Sequence, residues 1–591
     1  VMGCIIAGIF AAAMSSVDSL LNSMATVFIK DIYEKWLNHP NLDPSYKEVL
    51  EQMDEGQIND AFYTTIEFGT AGMRGLLGPG TNRINLHTIR KANVGFAEYI
   101  CANGEDAMKR GVAIGYDNRH MSKEFAMDSA KVLATYNIAS YVFESLRPTP
   151  ELSFAVRHFH CFGGIMVTAS HNPKEYNGYK LYDELGCQLV PALAQQVIDR
   201  VNAVEDELAI KAEPTAEQEK LITVIGKDVD EEYYENVLSI QLNPDINKDD
   251  VKIIFTPEHG TANIPVKEVY TRAGYHFVAV EEQCSPDPDF SNTPTPNPEE
   301  AGSYELAIEY AKREDADIIL VCDPDADRMG VGVKHDGEYK LLTGNQSGAV
   351  LIEYIFSQLQ AKDRMPNNPV MFNTVVTSDL GEKIATKYGV ATEKTLTGFK
   401  FIGEKVAKYE KTNEKQYVFG YEESYGSLIK PFVRDKDAPQ ACLMLAEAAC
   451  FYKAQGKTLV DVLYDLYAEL GYYEESQTSL KLEGQAGAQR IQEILATLRK
   501  TSVEAINDVA VTRFEDYKES KIIENGKEEE LCGFTKSDVL KYYLADGSWI
   551  AIRPSGTEPK CKFYYCIKGT SLENAHEKTL AYQKAMAEMI K

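Results

Sequence analysis

Short apolar runs recur along the chain, each closed by polar residues and followed by a stretch long enough for a helix. Gly111-Val112-Ala113-Ile114-Gly115-Tyr116-Asp117 is one, and residues 251–255, 318–321, 370–372 and 417–419 repeat the type. A short continuous apolar run bounded by turn residues reads as a strand buried on both faces. Residues 43–61 and the segment around 306–312 read as helical, and the glycine-rich 69–80 reads as a turn. Strands alternating with helices predict α/β layers. The runs at Val112, Val251 and Val370 open comparable units, although their likeness alone does not establish a repeat. The proline-rich stretch 285–298 reads as a surface loop of the second unit.

At 591 residues the chain exceeds what one core organises, so roughly three to five domains are expected. With 44% hydrophobic and 25% charged residues and no low-complexity tract, it reads as globular rather than disordered. The net charge of −28, from 89 acidic against 61 basic residues, argues against nonspecific binding to nucleic acid or anionic lipid. It does not exclude a phosphorylated substrate. The Debye length is about 8 Å at physiological salt, so a few cations inside a cleft set the local potential. The candidates are Arg74, Lys180, Arg328, Lys400, Arg434, Lys436, Arg553 and Lys560. The 11 cysteines are scattered without a CxxC pair, which predicts reduced thiols and a cytoplasmic setting.

Residues 1–14 carry no charge but fall short of the ~20 apolar residues a spanning helix needs. Extension to Ile29 reaches that length at the cost of Asp18 and several serines. A basic region of the kind that opens a signal peptide is missing. Residues 9–23 resemble one helix of a sodium/solute symporter, and one helix forms no transport site. Residues 1–32 are therefore set apart as an apolar extension, expected to be a fusion artefact, with a membrane tether as the alternative.

The apolar Ile165-Met166-Val167 runs into Thr168-Ala169-Ser170-His171-Asn172-Pro173, which presents a serine at a strand end, where α/β enzymes keep their chemistry. Such a serine ordinarily caps a helix, and the G-x-S-x-G elbow of acyl-transfer hydrolases is missing. Residues 317–321 lead into Asp323-Pro324-Asp325-Ala326-Asp327-Arg328. Three alternating carboxylates are hard oxygen ligands suited to Mg²⁺. An EF-hand is excluded, because Arg328 stands at its glycine position and Lys334 at its last glutamate. In Gly420-Tyr421-Glu422-Glu423-Ser424, Glu422 and Ser424 offer an acceptor and a donor-acceptor for vicinal hydroxyls. After Trp549-Ile550-Ala551-Ile552 comes Arg553-Pro554-Ser555-Gly556-Thr557-Glu558-Pro559-Lys560, whose guanidinium, hydroxyls and glycine suit a phosphate cradle.

These four motifs, in this order, resemble those of the α-D-phosphohexomutases. Gly69-Thr70-Ala71-Gly72-Met73-Arg74-Gly75 and Asn177-Gly178-Tyr179-Lys180 are similar to the long phosphoglucomutase and phosphopentomutase branch, and the resemblance runs from about Tyr33 to the C-terminus. It implies an α/β fold of four domains around a cleft: residues 33–221 with the phosphoserine loop, 222–335 with the metal loop, 336–470 with the sugar loop, and a smaller α+β domain over 471–591. It further implies Ser170, His171, Arg74 and Lys180 as catalytic residues. Asp323, Asp325 and Asp327 would hold Mg²⁺ together with the phosphate on Ser170. Arg328, Thr397, Gly398, Glu422, Ser424, Lys436, Arg553, Ser555, Gly556, Thr557 and Lys560 would bind substrate. Ala71 and Ala438 depart from residues common in the family, serine and glycine respectively, and both are small.

The activity implied is reversible interconversion of glucose 1-phosphate and glucose 6-phosphate through a phosphoserine and glucose 1,6-bisphosphate. Phosphopentomutase and phosphomannomutase are the alternatives within the class. A metal-dependent sugar phosphatase and an inactive sugar-phosphate-binding protein are the rivals outside it. The expected partner is a small phosphosugar. The identity of the general acid or base and the oligomeric state stay open.

Overall fold

The computed structural model describes residues 29–69, 72–482, 484–501, 503–555 and 560–591. The helix expected over 43–61 is two, Pro44–Gln52 and Glu55–Phe62. Asp43 caps the first by accepting the Ser45 N–H at 2.8 Å, Met53 then turns extended, and Asp54 opens the second in a reciprocal capping box with Gln57. A polar residue that caps cannot also continue a helix, which is why the periodic pattern breaks there. The two helices and the helical backbone at 29–37 enclose Trp36, Leu50, Phe62 and Leu208, and Ile29 and Ile32 pack onto the same cluster. Trp36 donates its indole N–H to Glu207 at 3.2 Å. Residues 29–32, expected to lie within the apolar extension, are thus built into the first domain, because their isoleucines help to bury Trp36. The symporter-like stretch 9–23 lies outside the described residues.

The first sheet has the order β1-β5-β4-β2-β3-β6, formed by Met73–Leu76 (β1), Val112–Tyr116 (β2), Ser140–Phe143 (β3), Gly163–Val167 (β4), Tyr176–Tyr182 (β5) and Ile222–Ile225 (β6). β4, β2, β3 and β6 run parallel, while β5 and β1 are antiparallel additions at one edge. The strand directly after residue 221 therefore completes this sheet. β2 and β4 are buried throughout, as unbroken apolar runs between two helical layers must be.

The second sheet, β11-β10-β9-β7-β8, uses Lys252–Thr256 (β7), His276–Ala279 (β8), Ile318–Cys322 (β9), Met329–His335 (β10) and Glu338–Leu342 (β11). The third, β13-β12-β14-β15, uses Pro369–Thr374 (β12), Ala391–Thr395 (β13), Gln416–Tyr421 (β14) and Ser427–Leu428 (β15).

One arrangement occurs three times. In each sheet a central strand (β2, β7, β12) pairs in parallel with the next strand on one side and with a later strand (β4, β9, β14) on the other. That later strand then turns into an antiparallel neighbour (β5, β10, β15). The runs at Val112, Val251 and Val370 do open equivalent units. The three turns at the carboxyl ends of β4, β9 and β14 carry Ser170, the aspartates and Glu422, respectively.

The last domain is an antiparallel sheet, β16-β23-β22-β21-β18-β19-β20, with Ala505–Ile506 (β17) paired to β18. Its strands are Tyr472–Lys481 (β16), Val509–Asp516 (β18), Lys521–Glu524 (β19), Lys527–Glu530 (β20), Leu540–Leu544 (β21), Trp549–Pro554 (β22) and Lys560–Gly569 (β23). Helices Gly484–Lys500 and Leu572–Met589 pack Leu495, Leu498, Tyr582 and Met586 onto it. It also contacts the third domain: Lys541 donates to the Val375 carbonyl at 2.7 Å and Trp549 Nε1 to Asp379 at 3.1 Å.

Candidate active site

Ser170 sits in the turn after β4 with φ 53°, a left-handed backbone that non-glycine residues seldom adopt. Strain of this kind persists where the surroundings impose it, and it clusters at functional sites. Thr168 Oγ1 accepts the Ser170 N–H at 2.8 Å. The buried Ser170 Oγ lies 3.0 Å from Asp323 Oδ2 and 3.1 Å from His171 Nδ1. Burial, followed by the nearby Arg328 and Arg74 guanidinium groups, holds His171 well below the usual imidazole range, so the ring is neutral. Arg74, on β1, donates to Asn172 Oδ1 at 3.0 Å and so borders the same loop.

The loop between β9 and β10 brings Asp323, Asp325 and Asp327 together with one oxygen of each within 4.8 Å of the others, all buried. Asp323 Oδ1 accepts the backbone N–H of Arg328 at 3.0 Å, which tightens the loop. Behind it, the Pro324 carbonyl accepts both the N–H and the hydroxyl of Thr261, at 2.8 and 2.9 Å. The two loops touch because residue 260 is glycine. A Cβ there would stand 2.4 Å from Pro324 Cα.

Lys180 on β5 reaches Asp325 Oδ2 at 2.9 Å and Asp327 Oδ2 at 3.9 Å, and Lys436 reaches Asp327 Oδ2 at 2.9 Å. Burial and the two other aspartates push Asp323 well up, whereas Lys180 overcomes burial and keeps Asp325 ionised. For Lys436, burial is outweighed by Asp327, Asp435 and Glu422, so its ammonium is retained. Asp325 Oδ1 and Asp327 Oδ1 are nevertheless buried without a hydrogen-bond partner. Buried carboxylate oxygens left this way are costly, and a hard divalent cation is what such a donor set accepts. The residues present fit Mg²⁺.

Glu422, after β14, accepts the Gly398 N–H at 2.8 Å, and Gly398 has φ 118°, a conformation that favours glycine. Thr397, Gly398 and Glu422 are thereby brought together, with the Thr397 hydroxyl buried and lacking a protein partner, and Ser424 follows two positions after Glu422 in the same turn. Burial raises the Glu422 carboxyl to about 7, with Lys436 opposing.

Arg553, at the end of β22, lies near enough for its charge to act on Lys400. Burial first and Arg553 second lower the Lys400 ammonium to about 8. The Ser555 N–H donates to the Lys560 carbonyl at 2.7 Å and closes the base of the hairpin. Gly556 and Thr557, expected in the same cradle, lie outside the described residues.

Arg328 pairs with Glu299 at 2.7 Å. Arg434, expected among the cleft cations, turns away to Glu410, and its backbone N–H bonds Ser153 Oγ at 2.9 Å. It is a structural residue because its guanidinium is buried and paired with Glu410.

Two residues went unmarked in the sequence. Lys562 on β23 neighbours Lys560 and Arg328, and burial, with the charge of both, lowers its ammonium despite Glu299. Arg119 lies completely buried beneath the Ser170 loop. No local motif marks either; each is brought in by strand pairing or by a neighbouring loop.

The comparisons with known proteins agree with this geometry. Models described as phosphoglucomutase/phosphomannomutase α/β/α domains I, II and III match residues 65–208, 231–337 and 343–470, and the model of the C-terminal domain matches 488–572. A phosphoglucomutase of Staphylococcus saprophyticus is 36% identical over 554 residues, covering 93% of this chain and 98% of that protein. The chain belongs to the phosphoglucomutase/phosphomannomutase family.

It is therefore an isomerase of the phosphomutase type. A phosphoglucomutase of Staphylococcus epidermidis is 37% identical over 88% of this chain and 94% of its own length. Among solved structures, parafusin from Paramecium, a phosphoglucomutase in an open form, matches with a TM-score of 0.64 at 20% identity, over 89% of this chain and 95% of that one. A family protein from Burkholderia thailandensis matches with 0.64 at 18% identity, over 89% and 98%. These two likenesses establish the fold.

Residues 1–44 also match a sodium:solute symporter family model. The described part of that stretch packs into the first domain, and no helix among the described residues is long and apolar enough to cross a membrane.

Proposed function

We propose that this phosphomutase interconverts α-D-glucose 1-phosphate and glucose 6-phosphate through phospho-Ser170 and a bound glucose 1,6-bisphosphate. The feature that supports the reading is a second group of cations, Lys400 from the third domain with Arg553 and Lys560 from the fourth, in which the charge of Arg553 acts on Lys400. Cations gathered at one place suit an anionic group of the substrate. A phosphatase needs one phosphate site, whereas a mutase that turns a bisphosphate around needs two.

In the forward direction the substrate's 6-hydroxyl oxygen attacks phosphorus. The new O–P bond forms as the P–Oγ bond to Ser170 breaks, the hydroxyl proton leaves, and Oγ regains a proton. The sugar then turns, Ser170 Oγ gives up its proton and attacks the phosphorus of the 1-phosphate, the bond from that phosphorus to the sugar O1 breaks, O1 takes up a proton, and glucose 6-phosphate departs. Asp323, Asp325 and Asp327, with the phosphate on Ser170, would hold Mg²⁺, which would supply charge neutralisation during transfer. Neutral His171 stands beside Oγ without adding charge. Arg74 borders the same phosphate, and Lys180 and Lys436 keep the aspartates in place. Glu422 and Ser424 grip ring hydroxyls, with Thr397 and Gly398 behind them, and Arg328 and Lys436 close the side of the cleft. Lys400, Arg553, Ser555 and Lys560, with Gly556 and Thr557, hold the phosphate that is not transferred.

Glucose is favoured by the phosphoglucomutases at 36–37% identity over nearly their whole length. A cytoplasmic setting goes with the free thiols at the described cysteines. The test is turnover of glucose 1-phosphate, mannose 1-phosphate and ribose 1-phosphate in parallel. Glucose 6-phosphate as the fastest product supports the reading, a preference for the mannose or ribose compound moves it within the class, and steady release of inorganic phosphate alone overturns it.

A further inference from the structure

The guanidinium of Arg119 donates to four backbone carbonyls of a single loop. Nη1 reaches the oxygens of Pro173 at 2.8 Å and Tyr176 at 3.0 Å, and Nη2 reaches those of Ser170 and Asn172. Its Nε lies 3.3 Å from Asp117 Oδ2, and Asp117 Oδ1 in turn accepts the Arg119 N–H at 3.0 Å and the Ser122 hydroxyl at 2.7 Å. Both side chains are fully buried. The planar fork therefore has a fixed support and spends its terminal N–H groups on the chain that bears the nucleophile. Lysine, with three donors on one nitrogen, cannot span four carbonyls arranged in this way.

The other face of the guanidinium is covered from a different domain. Phe290, in the proline-rich loop of the second domain, places its ring 5.2 Å from the Arg119 guanidinium carbon. That loop is no free surface segment, as its composition implied. Its Asp287 carbonyl accepts from Asn118 at 2.8 Å, and Asp289 pairs with His120 at 3.2 Å and with Lys174 at 3.3 Å. Lys174 is itself part of the Ser170 loop. The seal over Arg119 and the loop that Arg119 grips are thus joined.

We infer that Arg119, clamped by Asp117 and capped by Phe290, is the positioning residue that imposes the left-handed Ser170 backbone and so aims Oγ at Asp323 through both halves of the cycle. The inference rests on Ser170 being the phosphoryl carrier. Arg119 touches no substrate: it holds peptide carbonyls, and the loop they form would otherwise relax from φ 53°. A shift of about 1 Å in a reacting atom costs about 100-fold in rate, so the effect falls on turnover and leaves binding of the sugar phosphate alone.

The test uses the full-length enzyme and three variants, R119K, R119A and F290L, with kcat and KM for glucose 1-phosphate, thermal melts, and phosphate on Ser170 by intact mass after exposure to glucose 1,6-bisphosphate. R119K is expected to lose about 100-fold in kcat with KM within about threefold of wild type, and to accept phosphate on Ser170 correspondingly slowly. Added guanidinium ion restores part of the rate of R119A and none of that of R119K. F290L, which keeps an apolar residue at the site, loses about tenfold in kcat with KM unchanged, and serves alone if the Arg119 variants do not fold. Wild-type kcat in R119K or F290L, or a loss carried by KM, overturns the role of Arg119 while the mutase stands. Wild-type enzyme that turns over without ever carrying phosphate on Ser170 overturns the phosphoserine reading, and this inference with it.

Discussion

Ser170 Oγ and Asp323 Oδ2 stand 3.0 Å apart although 153 residues separate them, because two equivalent strand-to-strand turns, one from each of two repeated domains, meet end to end. A candidate nucleophile and a candidate metal ligand in hydrogen-bond contact are expected to act as one functional unit. Ser170→Ala is therefore expected to lower turnover by about 10⁴-fold or more while the melting profile stays close to that of wild type, since a single hydroxyl is removed. Intact mass after incubation with glucose 1,6-bisphosphate checks the cause: wild type gains one phosphoryl group and the variant gains none.

The aspartate loop predicts a requirement for a divalent cation. Exhaustive chelation is expected to abolish turnover, and Mg²⁺ to restore it. Because Asp325 Oδ1 and Asp327 Oδ1 are buried without partners, Asp325→Asn and Asp327→Asn should each raise the Mg²⁺ concentration giving half activity by about 10- to 100-fold or more. Magnesium titrations of activity measure this. Full activity of chelated enzyme is the contrary result.

Glu422 supplies a pH dependence with a definite sign. Burial raises its carboxyl to about 7, so in the free enzyme it is protonated below that pH and loses acceptor capacity toward sugar hydroxyls. The ratio kcat/KM, which reports groups of the free enzyme, is expected to rise as pH climbs through about 7. Glu422→Gln cannot ionise, and its profile over the same range should lose that rise, at a rate lower by about 10- to 100-fold.

The joint between the third and fourth domains holds a buried ammonium. Lys541 lies 3.9 Å from the Trp549 ring centroid, and burial, followed by repulsion from Lys394, lowers it to about 7. Its unfolded value is about 10.4. Between those two values the unfolded chain binds the additional proton, so this group makes stability increase with pH across that window, and its destabilising effect is fully present below about 7. Melting temperature measured from pH 6 to 9 in wild type and Lys541→Met should show the variant's relative advantage shrinking as pH rises. An unchanging difference would show that Lys541 does not titrate in this range.

Much of this arrangement is legible in the residues themselves. Val112, Val251 and Val370 begin runs apolar enough to be central strands, and a central strand's carboxyl end is where a loop can offer Ser170, Asp323 or Glu422 to a cleft. Legibility ends where partners come from elsewhere in the chain. Arg119 follows an ordinary Asp-Asn pair, and its grip on four carbonyls depends on a turn that begins 51 residues further on. Residues 285–298 look like a solvated loop because proline and aspartate suit solvent, yet Phe290 is buried against another domain. Arg434 and Lys436 are indistinguishable as cations two positions apart, and the irregular turn that carries both sends one to Glu410 and the other to Asp327.

The pair Lys400 and Arg553 gives the last prediction, and it separates binding from chemistry. With Lys400 lowered to about 8, the free enzyme loses one cation of the proposed second phosphate site as pH passes that value, so KM for glucose 1-phosphate should rise on the alkaline side with kcat less affected. Lys400→Arg keeps its charge at every accessible pH and should abolish the alkaline rise. Lys400→Met should raise KM by about 10- to 100-fold, the worth of a hydrogen bond to a charged group. If both side chains grip one phosphate, the losses in Lys400→Met, Arg553→Met and the double variant will not add, since removing either loosens the same anion. Strict additivity would place the two cations on separate partners, and the nontransferred phosphate would then have to be sought elsewhere in the cleft.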